Sequence, residues 1–152
     1  MERLPYRATA HSAAYEGITR LPVAVLLDNV RSLYNVGAFF RTADGASIEK
    51  LYLCGITGRP PKKAISKTAL GAEETVAWIH AWNAVPTIED LRNQGYEIAA
   101  IETSTRSIDL FDWKPRFPYA SFLATKSRDS DPSSSNWPIR TSAFRCWARS
   151  IR

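Results

Sequence analysis

The sequence has little of what many kinds of site require. Its two cysteines, Cys54 and Cys146, give neither a metal-ligand spacing nor a disulfide framework and are expected to be free thiols. Its two histidines, His11 and His80, stand far apart, and no His/Asp/Glu spacing argues for a metal. No apolar run approaches the roughly 18 residues that would span a bilayer. The opening "MERLPYRATAHSAAYEGITRL" has no apolar core of the signal-peptide kind. These absences exclude a helical membrane span and predict a soluble, cytoplasmic protein without a membrane partner. Internal repeats are lacking too, which excludes a solenoid.

What is present fits one ordinary domain. The chain has 152 residues and is 45% hydrophobic, enough for a real core in a fold that buries roughly two thirds of its unfolded surface. The formal charge of +5 resembles a nucleic-acid footprint until it is divided along the chain. Residues 119–152 hold six of the 20 Lys/Arg against Asp129 and Asp131, leaving 14 basic and 13 acidic residues to the first 118. Basicity therefore belongs to the tail.

Residues 1–20 read as a polar extension. "LPVAVLLDNV" (21–30) is the continuous apolar run of a strand covered on both faces, as in a parallel sheet. A loop and a helix from about Val36 follow, with Asn35 available as N-cap and Gly45 near the end. "KLYLCGI" (50–56) is a second strand, "GRPPKK" (58–63) a turn, and "AISKTALGAEETVAW" (64–78) a helical or mixed segment. "TIEDLRNQG" (87–95) has a capping box at Thr87 and a stop at Gly95, and "YEIAAIETS" (96–104) is the third clear strand. "PYASFLAT" (118–125) suits a fourth. The alternation predicts an α/β domain with a parallel sheet over residues 21–125.

In such a sheet a site belongs at the carboxyl ends of the strands. Asn29, Arg31, Asn35, Gly37 and Arg41 stand after the first strand, the right place for a phosphate or ribose seat at a helix start. Plainer readings exist for each: Arg41 paired with Asp44, Asn35 as a cap alone, Gly37 as turn chemistry. "AWIHAW", with Trp78, His80 and Trp82, reads as a packed connector in preference to a stacking platform.

"NVGAFFRTADG" (35–45) resembles the first signature of the SpoU (TrmH) family of SPOUT-class RNA 2′-O-ribose methyltransferases: Asn, any residue, Gly, three residues, Arg. The preceding strand with Asp28-Asn29, "IEKLYLCGIT" (48–57) and "KTALGAEE" (67–74) are also similar, so the resemblance covers about residues 21–118. It implies an α/β-knot fold, S-adenosylmethionine as methyl donor, tRNA or rRNA as partner, and a homodimer. Arg41 and Asn35 become the catalytic pair, and Asn29, Arg31, Gly37 and Lys67 the substrate contacts. A guanidinium is a poor base because it stays charged, so Arg41 either passes the proton to a phosphate or positions substrate and stabilises developing negative charge.

Two further family signatures, a strand ending in Gly-Asn/Ser-Glu and an Ile-Pro strand before Ser-Leu-Asn, cradle the cofactor within the knot. Neither stands in this sequence, so no cofactor-binding residue is retained. Their place is taken by residues 126–152, an aberrant polar and arginine-rich tail expected to be disordered. One shift of reading frame near residue 118 explains it: with synonymous codons chosen freely, "PYASFLATKSRDS" permits V-C-V-V-F-G-N-E-V-E-G-L. The remainder permits a segment ending I-P-V-L-G-A-V-D-S. The rival account is a basic RNA-binding arm. For function, the alternative to an impaired methyltransferase is a non-catalytic RNA-binding or degenerate fragment of one.

Overall fold

Leu21–Asp28 forms the first strand, β1, in which every residue from Val23 onward is buried. A run apolar at every position requires neighbours on both faces. They come from the elements that follow in chain order: α1 (Leu33–Gly45), β2 (Ile48–Cys54), α2 (Lys63–Ala69), α3 (Ala72–Thr75), β3 (Ala77–Ala81), α4 (Ala84–Asn93), β4 (Glu97–Ile101), β5 (Ser107–Asp109), β6 (Tyr119–Ala124) and β7 (Ser142–Arg145). This computed structural model describes residues 19–101, 107–109, 111–124 and 142–145.

All strand pairings are parallel, in the order β3-β2-β1-β6-β4-β7-β5. The fold is therefore the expected α/β class. β1 to β3 step outward in one direction. The connection through α4 then returns past β1 to β4, and β6 fills the gap, with Phe122 beside both Leu26 and Ala100. The order of strands thus reverses beside β1, which is where an open sheet of this kind leaves a crevice at its carboxyl edge.

Alternate side chains of each strand enter different cores. Val25, Leu27, Leu51 and Leu53 pack under α1, α2 and α3 with Val36, Phe40, Ile65 and Val76. Ala24, Leu26, Cys54, Ala100, Ala120 and Phe122 pack under α4 with Ala84, Ile88 and Leu91. Phe40 is wholly buried and meets Trp78 edge to face, 6.4 Å between centroids. At roughly 25 cal/mol per Å2 of apolar surface, each such side chain contributes about 2–3 kcal/mol.

Several boundaries differ from the sequence expectation. α1 begins at Leu33, because Ser32, three residues upstream of Asn35, caps it: its Oγ accepts the Asn35 N–H at 3.3 Å. α4 begins at Ala84 and its cap is Asn83, whose Oδ1 accepts from Val85 N at 3.0 Å. Pro86 then falls in the first turn, where a missing N–H removes no helical bond. The Thr87 hydroxyl instead reaches the Asn83 carbonyl. "AWIHA" is not a connector but β3, pairing with β2 from Ala77 to Ala81. Both predicted glycine stops hold: α1 ends on Gly45, and Gly95 takes a φ of 89° just past α4.

All of the expected 1–20 extension but its last two residues lies outside the described residues. Arg20 is anchored, donating to the carbonyls of Ile48 (3.2 Å) and Thr75 (2.7 Å). The expected tail, 126–152, also lies outside them except for 142–145, whose backbone forms β7 between β4 and β5.

Candidate functional site

The carboxyl end of β1 is tied to that of β2 by side chains. Thr57, buried, donates to the Leu27 carbonyl at 2.9 Å and accepts from Val30 N at 3.0 Å. Asn29 adopts φ 56°, a conformation asparagine tolerates better than most residues, and its Oδ1 accepts from Ile56 N at 3.2 Å. Gly55, at φ 61°, lies so close to the Asn29 amide that a Cβ there would collide with it. Asn29 is thus engaged in holding the loop. Burial pushes the Asp28 carboxyl up, offset in part by its hydrogen bond with Asn29. Burial, with a smaller contribution from the charge of Asp28, pushes the Cys54 thiol up to about 12, so it is a packed side chain and no nucleophile.

α1 carries three of the residues singled out by sequence. Asn35 sits exposed in its first turn, and its side chain bonds no described residue. Gly37 is buried against α2: a Cβ there would run into Thr68 Oγ1 and the Ile65 carbonyl. Its role is the close approach of two helices, and it offers no surface to a substrate. Thr68 fixes the approach by donating to the Tyr34 carbonyl at 2.9 Å.

Arg41 and Lys67 come together. They line one open groove of about 490 Å3 between α1 and α2, with Ala38, Thr42, Thr68 and Leu70. Both are exposed, and neither makes an ion pair with a described residue. The plain reading of Arg41 as the partner of Asp44 is not what the described residues show: the two form no ion pair, and Asp44 accepts from the Thr75 hydroxyl at 2.7 Å. Asn35 does not line this groove; six helical residues place it about 9 Å along the axis from Arg41 and about 240° around it. Arg31 is exposed in the loop before α1, outside the groove. The described residues therefore join Arg41 with Lys67 and leave Asn29, Arg31, Asn35 and Gly37 elsewhere.

Two features escaped the sequence reading. Residues 55–72 contain four basic residues and no acidic one, a signal that was there to count; Arg59, Lys62, Lys63 and Lys67 are all exposed. The other is the end of β3, where Trp78 turns into the core while Trp82 stands 82% exposed. Spacing alone cannot separate those two tryptophans, because what decides them is that β3 is the edge strand and Trp82 lies just past its end.

Comparison with known proteins bears on this geometry. The model of the SpoU rRNA Methylase family matches residues 22–123. The 23S rRNA (guanosine-2′-O-)-methyltransferase RlmB of Neisseria meningitidis serogroup B is 30% identical over 96 residues, 63% of this chain and 38% of that protein. RlmB of Vibrio vulnificus is 34% identical over 74 residues, 49% of this chain and 30% of that protein. The chain thus spans well under half the length of these relatives. Among solved structures, the AdoMet-bound rRNA methyltransferase from Sinorhizobium meliloti superposes with a TM-score of 0.63 at 22% identity, over 80% of this chain and 45% of that one. The A. aeolicus TrmH/SpoU tRNA modifying enzyme gives 0.59 at 22% identity, over 70% of this chain and 54% of that one. At that identity these two establish likeness of fold.

Proposed function

Because the chain belongs to the SpoU rRNA methylase family, we propose that it is the RNA-facing part of an RNA ribose 2′-O-methyltransferase that takes its methyl group from S-adenosylmethionine. The observation that carries this reading is the Arg41–Lys67 groove: two exposed cations on adjacent helices, neither paired with a described carboxylate, lining one open groove. Such a pair suits the phosphodiester of an RNA strand, Arg41 by bidentate hydrogen bonds and Lys67 as a point charge. Held against the phosphate beside the target ribose, the Arg41 guanidinium orients the 2′-hydroxyl and stabilises negative charge as it develops on that oxygen. A permanent cation does this without accepting the proton. Asn35, whose side chain bonds no described residue, and Arg31, before α1, are assigned to the RNA strand on the N-terminal side of Arg41.

The described residues do not frame a cofactor cradle. At the carboxyl ends of β1 and β6 they offer the buried Asp28, the Asn29 amide that follows it and Ala124, and the residues that follow β6 lie outside the described ones. The reading keeps the frame change inferred near residue 118, and the family match runs through residue 123. In this reading the chain retains the RNA half and is impaired in methyl transfer. Its place is the cytoplasm; among the described residues no helix is long and apolar enough to cross a membrane. Homodimerisation belongs to the same proposal and is tested by sedimentation. The function is tested by RNA binding and by calorimetric titration with S-adenosylmethionine: RNA bound through Arg41 and Lys67 with negligible cofactor binding is expected. Micromolar cofactor affinity contradicts the impairment, and failure to bind RNA contradicts the assignment.

A further inference from the structure

Trp82 presents most of an indole to solvent one residue beyond β3. The His80 ring meets it edge to face, with centroids 5.0 Å apart and planes at 90°. His80 is pinned in turn, its Nε2 lying 3.1 Å from the Gly55 carbonyl oxygen, which can only accept. Gly55 N donates to the Ala81 carbonyl at 2.9 Å, so the loop carrying Arg59, Lys62 and Lys63 leaves the sheet beside the indole. Those three cations are exposed, form no ion pair with a described residue and have no acidic residue between Glu49 and Glu73 to neutralise them.

An exposed aromatic ring near the root of a basic loop is an arrangement that suits single-stranded nucleic acid, the cations tracking phosphates and the ring receiving a base. It also stands at the carboxyl edge of the sheet, just past β3, with β2 between it and the β1 strand that leads into Asn29. We propose that Trp82 is a stacking platform for an unpaired RNA base and that Arg59, Lys62 and Lys63 hold the backbone beside it. The proposal rests on RNA being the partner and adds which part of the RNA is grasped: an unstacked base in a loop or single strand, not the face of a duplex.

The test compares two fluorescent probes of equal length and charge, a twelve-nucleotide adenosine oligomer and an abasic ribose-phosphate oligomer. Their affinities for the full chain are measured by anisotropy across a salt series. Trp82→Ala is expected to weaken the adenosine oligomer about tenfold and leave the abasic one unchanged, with Trp82→Phe restoring most of the loss. Replacing Arg59, Lys62 and Lys63 by Ala should weaken both probes and flatten the salt dependence. Equal losses on both probes in Trp82→Ala, or no loss on either, overturns the stacking role while RNA binding itself stands. A wild-type chain that binds neither probe overturns the RNA reading and the platform with it, and the adenosine oligomer annealed to its uridine complement bound as tightly as the single strand overturns the preference for unpaired bases.

Discussion

Gly37→Ala adds one methyl group where α1 and α2 approach most closely at a glycine. That carbon would collide with Thr68 Oγ1 and the Ile65 carbonyl and come within 3.1 Å of Ala69 N. The hydroxyl can rotate away, but only by giving up its bond to the Tyr34 carbonyl, a loss of about 1 kcal/mol. The Ile65 carbonyl is backbone and cannot rotate, so α2 must move as a body and loosen the fully buried Ile65 and Ala69. Overpacking of this kind costs about 1–3 kcal/mol. Against that, alanine gains about 1 kcal/mol over glycine in helix propensity. The net expectation is a destabilisation of about 1–3 kcal/mol, read as a lowered midpoint in urea unfolding followed by circular dichroism. Gly45→Ala is the control: a Cβ there meets nothing within 4 Å, so that variant should be neutral or slightly more stable. In a Thr68→Ala background the Gly37→Ala cost should shrink without vanishing, because the carbonyl clash remains. Gly37→Ala unfolding together with the wild type would refute the packing argument, and with it the reason given for Arg41 and Lys67 sharing a groove.

The remaining expectations concern the site and the buried groups. Arg41→Ala and Lys67→Ala should each weaken RNA binding several-fold and lower its salt dependence by about one charge, while Arg41→Lys should not restore methyl transfer in a frame-restored chain; anisotropy and labelled-methyl transfer check these. Burial raises the folded-state value of Asp28 above its unfolded one, so the folded chain binds more protons in that window and Asp28 subtracts stability as pH rises from about 4 toward neutrality. Asp28→Asn should therefore be the more stable protein at pH 7, an advantage that fades toward pH 4; an advantage that grows on acidification would reverse the sign. With Cys146→Ser removing the other thiol, Cys54, its thiol pushed up to about 12, should resist alkylation at pH 8 until the chain is unfolded.

How far these features were legible depends on their range. β1 was readable because both of its faces are covered, and α1 because Gly45 and the apolar spacing mark it. The cap of α1 was misplaced because Ser32 and Asn35 are equally good capping types; Leu33 reaching the core decides between them, and that is a tertiary fact. β3 was missed for the same reason, its strand character coming from the partner β2. The motif located Arg41; the other cation lining its groove is Lys67 from the next helix, 26 positions on, while Asn35 of its own helix lies outside that groove. What joins them is the missing side chain of Gly37, whose effect is visible only when α2 lies on top of it.

The most direct measurement is transfer of a labelled methyl group from S-adenosylmethionine to RNA by two chains: this one, and one re-encoded from residue 118 in the shifted frame. Transfer by the re-encoded chain alone, abolished by Arg41→Ala, is the predicted result. Equal transfer by both chains, or transfer by the re-encoded chain that survives Arg41→Ala, would contradict the account.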